Sequence, residues 1–352
     1  MANVLIEENT MSAIGNAIRA KTQKTDLIYP ADMAAEIAGI EGGSGGIPVE
    51  IITRELTEYS NSDLEKIGSG AFAFFPGLKS VDFQNVKTID LGAFYYCESL
   101  TSINFPNAKY VGDGAFNGCS ALTTTNFPVA TSVGDSAFNG CSALTTTNFP
   151  VATSVGDGAF NGCSALTEAN FPLATTIVDA AFYGCSALTE ANFPLATTIG
   201  DAAFRNCYAL ETVDFPLATT IGDSAFYGCS ALTEANFPLA TTIGDAAFRD
   251  CYALETVDLP VANSIGTYAF RYDEELKSLI LRNPDAVCTL SNKNAFNNSS
   301  ILNKTGYIYV PSALIEDYKV ATNWSTYATQ FRALEDYTVD GTITGALDET
   351  KI

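Results

Sequence analysis

The chain contains no histidine. Without imidazole there is no Ser–His or Cys–His nucleophile pair, and the commonest general base is missing. No Cys-x-x-Cys pair occurs either, so the usual zinc ligand sets are excluded. Cations are scarce. Only 18 Lys and Arg stand against 40 Asp and Glu, a formal net charge of −22. A field of that sign repels phosphate and anionic lipid, so neither nucleic acid nor membrane insertion is expected, and it favours solubility. No run of 18 apolar residues could form a membrane span. No Gly-rich phosphate loop precedes a helix, because Gly42 to Gly46 reads as a linker. Met1 to Glu8 lacks the basic-then-apolar plan of a signal peptide. The expectation is a lost leader or another route out of the cell.

What the chain does have is periodicity. Ten Ala-Phe pairs stand 22 residues apart, from Ala71-Phe72 to Ala269-Phe270, and an eleventh, Ala295-Phe296, follows after 26. A fixed period near 22 marks a solenoid whose coils cannot bury their apolar faces singly. In the coil from Leu210, Val213 and Phe215 alternate with Thr212 and Asp214, which predicts a strand with the first pair inward. Pro216 ends it. Leu217, Ala218 and Ile221 are expected to return along a second wall. Gly222-Asp223 then makes a turn, and Ser224-Ala225-Phe226-x-x-Cys229 reads as a short helical turn capped by Asp223. Ten coils at the strand spacing of about 4.8 Å give a rod or arc on the order of 50 Å long.

The repeated Leu-x-x-(Val/Ala)-x-Phe-Pro-x-Ala-x-x-Ile-Gly-x-x-Ala-Phe-x-x-Cys resembles the BspA-like class of bacterial leucine-rich repeats, over about residues 56–310. The resemblance implies a curved α/β-repeat solenoid with a parallel sheet on its concave side. It also implies a surface-associated binding or adhesion role, and with no imidazole or phosphate loop neither enzymatic activity nor a cofactor is expected. Three positions depart from the pattern: Thr125 and Thr147 stand in the Val213 slot, and Val178 replaces the turn glycine. Looser coils are expected there.

Composition divides the chain further. Residues 1–40 read as a helical attachment or oligomerisation module, with Met11, Ile14 and Ile18 on one face and Met33, Ile37 and Ile40 on another. The string Ala17-Ile18-Arg19-Ala20-Lys21-Thr22 resembles a segment at the start of proteins encoded by prophages of gut Firmicutes. Residues 41–46 are the linker, 47–66 an N-terminal cap, 67–310 the solenoid, 311–337 a C-terminal helical cap and 338–352 a tail. In the C-terminal cap, Tyr307 to Val310 is expected to be the final strand. Ser312 is expected to cap one helix, and Ser325 to precede another carrying Tyr327, Phe331 and Leu334. Trp324 is expected in the core. The tail is expected to be a loose hairpin or an attachment strand.

Several columns of identical positions are candidate sites. Eight cysteines, Cys97 to Cys251, share the inward slot of Phe75, which predicts reduced core thiols. Asp113 through Asp245 form a turn column, read as caps, with calcium bound between coils as the alternative. On the strands, one column holds Asn170, Asn192, Asp214 and Asn236, and its neighbour holds Glu168, Glu190 and Glu234. These read either as a solvated face or as a hydrogen-bonding groove for a glycan or extended polymer. Tyr183, Tyr227, Tyr208, Tyr252 and Tyr272 with Arg205, Arg249 and Arg271 make a Tyr/Arg-rich flank, equally a binding hot spot or surface filler.

No carboxylate pair stands out from these periodic columns, as a glycan hydrolase would require. The expectation is a recognition protein of a phage tail (virion) or a bacterial surface, binding a protein or glycan on a cell. Residues 1–40 offer a route to a homo-oligomer. A structural spacer is the alternative.

Overall fold

A computed structural model describes residues 56–337 and the short strands Thr338–Val339 and Thr342–Ile343. The expected module of residues 1–40, the linker and the first part of the cap lie outside the described residues. The described part of the expected cap already forms a coil, since Glu58–Ser60 pairs in parallel with Ser80–Asp82.

The expected parallel solenoid is present, but it has two strand walls rather than one. Two-residue strands such as Thr198–Ile199 build a continuous 11-stranded parallel sheet, each residue paired with its equivalent 22 positions on until the last step, where Ser264 pairs with Thr289. The Leu-x-x-Val-x-Phe strands form the other wall, which is interrupted. It consists of a three-stranded sheet from Glu58 to Asn104, another from Glu168 to Asp214, and a five-stranded sheet from Glu234 to Ala333.

The first gap falls on Thr125 and Thr147. There only the isolated bridge between Thr124 and Thr146 remains. Both hydroxyls point into the core, where neither finds a hydrogen-bond partner. A buried orphan hydroxyl costs roughly 1–3 kcal/mol. The strand wall is therefore interrupted at the two threonine coils, whereas beside Val178 the second wall stays paired, Ile177 with Val155.

The third wall is not the expected helical turn. The residue after each turn aspartate is left-handed, as at Ala202 (φ 53°) and Ser224 (φ 56°), and so is a second residue four positions on, as at Asn206 and Gly228. L-residues cannot continue an α-helix through that conformation. Alternate N–H groups instead bond to the next coil: Ser224 to Asp245 O, Phe226 to Ala247 O and Gly228 to Arg249 O, each 2.8 Å.

Between the walls run two ring columns. Phe94, Phe116 and their equivalents stack nearly parallel at 5.1–5.5 Å, up to Phe270 and Phe296. Phe83 through Phe237 form the second column and meet the first tilted or edge-on, as Phe171 meets Phe182. All these rings are buried. On the returning segment Ala218 and Ile221 are buried, whereas Leu217 and most of its equivalents face solvent.

The C-terminal segment contains less helix than its spacing suggests. The only α-helix among the described residues is Ile315–Val320, preceded by a 3₁₀ turn, Ser312–Leu314. Ser312 donates to Glu335 and caps nothing. Tyr307–Val310 is not the final strand, because Phe331–Ala333 pairs in parallel beyond it. An open sheet edge costs more than the weak helical spacing of Phe331 and Leu334 returns. Trp324 is fully buried, donates Nε1–H to Cys288 O at 2.6 Å, and closes the ring column against Phe296 as expected. The tail begins with the antiparallel pair Thr338–Val339 and Thr342–Ile343.

Candidate functional site

The strand wall sets the candidate carboxylates and amides in register. Glu168, Glu190 and Thr212 are direct neighbours, as are Asn170, Asn192 and Asp214. Glu234 pairs with Thr256 and Asn236 with Asp258, so these two stand across the second sheet gap. Side chains at Asp214 and Asn236 lie outside what the structure describes.

The amide column partly satisfies itself. Asn192 Nδ2 donates to Asn170 Oδ1 at 3.3 Å, and Asn148 donates to Asn126 at 2.8 Å. At the far end Asp258 accepts a bidentate fork from Arg282. The glutamates are different. Glu168, Glu190 and Glu234 are exposed, and no ion pair reaches them among the described residues. Like charges on adjacent parallel strands repel, and a cationic or hydroxyl-bearing ligand relieves that repulsion.

Where the wall opens, a cavity of about 110 Å³ lies between coils, lined by Thr146, Thr147, Asn148, Pro150, Glu168, Asn170 and Pro172. Glu168 and Asn170 were legible as site residues. Thr146 and Asn148 stand in the same two columns, while the two prolines were not singled out, and the signal for them was the Thr147 substitution. The cavity combines amide and carboxylate hydrogen-bonding groups with two proline rings as apolar platforms.

The Tyr/Arg flank is a ladder. The Arg205 guanidinium lies 5.9 Å from the Tyr183 ring and 4.4 Å from the Tyr227 ring. Arg249 lies 5.1 Å from Tyr227 and 5.7 Å from Tyr272, and Arg271 lies against Tyr268 and Tyr272. Each sandwich contributes about 0.5–1 kcal/mol near a surface. The planes are thus consumed between coils, while the Nε atoms of all three arginines are buried without a hydrogen bond, that of Arg249 standing 3.6 Å from Asp250 Oδ2. Burial and the neighbouring Asp250 push the Tyr227 hydroxyl above its usual range. Tyr208 and Tyr252 remain exposed beside this ladder.

The aspartate column does something other than cap its own turn. Asp201 Oδ1 accepts the N–H of Asp223, Asp223 that of Asp245 and Asp245 that of Thr267, at 2.5–2.7 Å. The carboxylate therefore joins coils. Gly222 is required beside it, because a Cβ there would stand 2.6 Å from Asp201 Oδ1. At Asp157, next to Val178, burial and then the charges of Asp135 and Asp179 raise the carboxyl pKa. Among the described residues no group of three His, Cys, Asp or Glu side chains is placed to hold a metal.

The cysteines form an inter-coil ladder as well. Cys97 Sγ–H donates to Phe72 O at 2.9 Å, and the rest of the ladder repeats this bond at 3.2 Å, ending with Cys251 to Phe226 O. All nine thiols are free and buried. The next residue in this slot, Asp273, was missed, although the 22-residue period places it there. It is fully buried, accepts the Cys251 N–H at 3.0 Å with Oδ1, and leaves Oδ2 unpartnered.

Similar folds occur in bacterial proteins. A leucine-rich repeat protein from Bacteroides ovatus is 25% identical, with 80% of this chain and 84% of that one covered and a TM-score of 0.46. A leucine-rich cell surface protein from Faecalibacterium prausnitzii is 24% identical over 65% of this chain and 80% of its own, with a TM-score of 0.35. A leucine-rich repeat protein from Eubacterium ventriosum is 22% identical over 70% and 84%, with a TM-score of 0.38. No curated protein matches the chain. The BspA type leucine rich repeat region matches residues 55–167, 109–233 and 197–315, most of the sequence. With its coil-by-coil register and stacked Phe columns, the chain belongs to the BspA-type leucine-rich repeat family.

Proposed function

We propose that this protein is a non-enzymatic recognition module that binds a ligand on a cell surface through its interrupted strand wall. The observation that carries this reading is the exposed, unpaired Glu168 in the cavity at the sheet gap, with Glu190 exposed on the next strand. The cavity's mixture of amides, a carboxylate and proline rings suits a glycan, whose hydroxyls need donors and acceptors and whose C–H faces need apolar platforms. The family resemblance adds a surface-associated setting, and the string near Ala17 adds a phage tail as one such setting. Residues 1–40 serve as the attachment or oligomerisation piece, so that weak single contacts gain from multivalency.

The test is binding to whole bacterial cells. The triple variant Glu168→Lys/Glu190→Lys/Glu234→Lys is expected to lose binding by tenfold or more at an unchanged melting temperature. Alanine at Tyr183, Arg205, Tyr227 and Arg249 tests the flank separately. Periodate-treated and protease-treated cells distinguish glycan from protein. Unaltered binding by both variants, or release of product from cell-wall polysaccharide, overturns the reading. The unbroken ring column from Phe72 to Phe296 supports a second reading, a stiff spacer, for which cell binding is absent from the start.

A further inference from the structure

One column of the solenoid does nothing for the core. The slot after the strand-ending proline holds Val129, Leu173, Leu195, Leu217, Leu239 and Val261, each 36–41% exposed. Val151 continues the row, half-buried. The coil does not require an aliphatic residue there. In the coils before this stretch the slot holds Asn85 and Asn107, whose amides donate to Ser62 O and Gln84 O of the preceding coil. In the coil after it the slot holds Asn283. The apolar ridge, seven coils long, is therefore bounded by polar residues at both ends.

The ridge is also uncharged in a strongly acidic protein. Five of its coils read Asn-Phe-Pro-(Val/Leu)-Ala-Thr-(Ser/Thr)-(Val/Ile) with no ionisable residue. Asp214 and Asp258 are the exceptions, and Asp258 is neutralised by Arg282. The turn aspartates stand beyond the far end of the second strand. An apolar centre depleted of charge, with a polar rim, is the anatomy of a protein interface.

We propose that this ridge pairs with the same ridge of a second copy of the chain, antiparallel about Leu195. A partner must present apolar groups at the coil spacing over seven positions, and this chain does so by construction. Two-fold pairing sets Leu195 on its own mate, Leu173 on Leu217 and Val129 on Val261. Every contact joins two aliphatics, of like size except where Val151 meets Leu239, and the slot itself carries no charge. The ridge runs about 29 Å, six steps of about 4.8 Å. With its threonine and proline flanks, on the order of 20 Å wide, it buries on the order of 600 Å² per copy. That is the lower end for specific pairs. With a net charge of −22 on each copy, screening strengthens the association, so it rises with salt.

The ridge shares Pro150 and Pro172 with the cavity of the strand wall, but the proposal does not rest on what that wall binds. Its test uses the full chain in sedimentation equilibrium and cross-linking. All native thiols are buried. Under mild oxidation Leu195→Cys is therefore expected to give a disulfide-linked dimer, and Glu211→Cys on another corner is not. A mixture of Leu173→Cys and Leu217→Cys is expected to cross-link to each other in preference to themselves. Leu195→Glu/Leu217→Glu is expected to shift the dimer to monomer without lowering the melting temperature. The proposal fails if the chain stays monomeric at high protein concentration and high salt. It also fails if Leu195→Cys links no better than the control, or if the oligomer survives the double glutamate substitution, which would place the contact elsewhere, such as in residues 1–40.

Discussion

At the scale of single residues, the slot shared by Phe75, Cys97 to Cys251 and Asp273 shows how stacking constrains chemistry. Each ladder thiol is desolvated and already hydrogen-bonded to the preceding coil, and burial pushes Cys141, Cys185 and Cys229 far above the usual thiol range. The folded protein is expected to be inert to thiol reagents at pH 8. Nine thiols should titrate once it is denatured under non-reducing conditions, and fewer than five would refute the reduced ladder. Asp273 carries the opposite kind of cost. Burial raises its pKa well above the ordinary carboxyl value. In the unfolded chain it ionises near pH 4. Its folded pKa is the higher one, so ionisation adds no penalty below pH 4, and stability falls as pH climbs from there toward the folded pKa. Asp273→Cys, which continues the ladder, is therefore expected to raise the melting temperature at pH 7 by about 2–4 °C or more. That gain should shrink as pH falls toward 4, and a gain independent of pH would refute the assignment.

At the scale of the coil, the two strand walls divide the work. The Thr-Ile wall runs unbroken, whereas the Leu-x-x-Val-x-Phe wall parts at Thr125 and Thr147. Restoring the apolar residue separates cause from coincidence. Thr125→Val/Thr147→Val is expected to raise stability by roughly 1–3 kcal/mol per site, read by chemical denaturation, because an orphaned buried hydroxyl is removed. The rings contribute more to stability than these hydroxyls take away. Phe182 stacks on Phe160 and Phe204 at 5.3 Å and meets Phe171 and Phe193 edge-on. Phe182→Ala is expected to cost about 3–5 kcal/mol. The loss should fall on the coils either side, since solenoid stability resides in nearest-neighbour interfaces. Hydrogen exchange that rises only between about Phe160 and Phe204 would show this, and unchanged melting would deny the column its role.

For the whole molecule, near-identity of coils makes length a free variable. Residues 113–134 and 135–156 differ only at Gly114 and Ser136, both left-handed. Deleting 135–156 joins Gly134 to Asp157, the same junction that Gly156 makes now, and leaves every ring with an equivalent neighbour. A soluble protein with a single melting transition is expected. Loss of soluble expression would contradict the modular reading. The same repetition explains why no candidate residue is unique. Selectivity along this molecule comes from where the pattern is broken, at the sheet gap beside Glu168 and at the ends of the aliphatic ridge.

The 22-residue period by itself determined the solenoid, the buried Phe, Leu and Cys columns, the outward Glu and Asn rows, and the weak coils at Thr125 and Thr147. These follow because identical residues at a fixed spacing must stack on themselves. Tertiary structure alone decided the rest. Ala-Phe-x-x-Cys has helical spacing, yet inter-coil hydrogen bonds from left-handed residues such as Ser224 outweigh it. Asp223 is positioned like a cap, yet its carboxylate reaches the next coil, a partner that local sequence cannot show. Phe331 and Leu334 are spaced for a helix, but the unpaired edge of Tyr307–Val310 draws Phe331 into a strand. Leu217 is as apolar as Leu210, but only the path of the chain around the proline corner sends one out and the other in. Hydrophobic pattern fixes which residues seek cover. Which of them find it depends on bonds and edges supplied by residues 22 positions away.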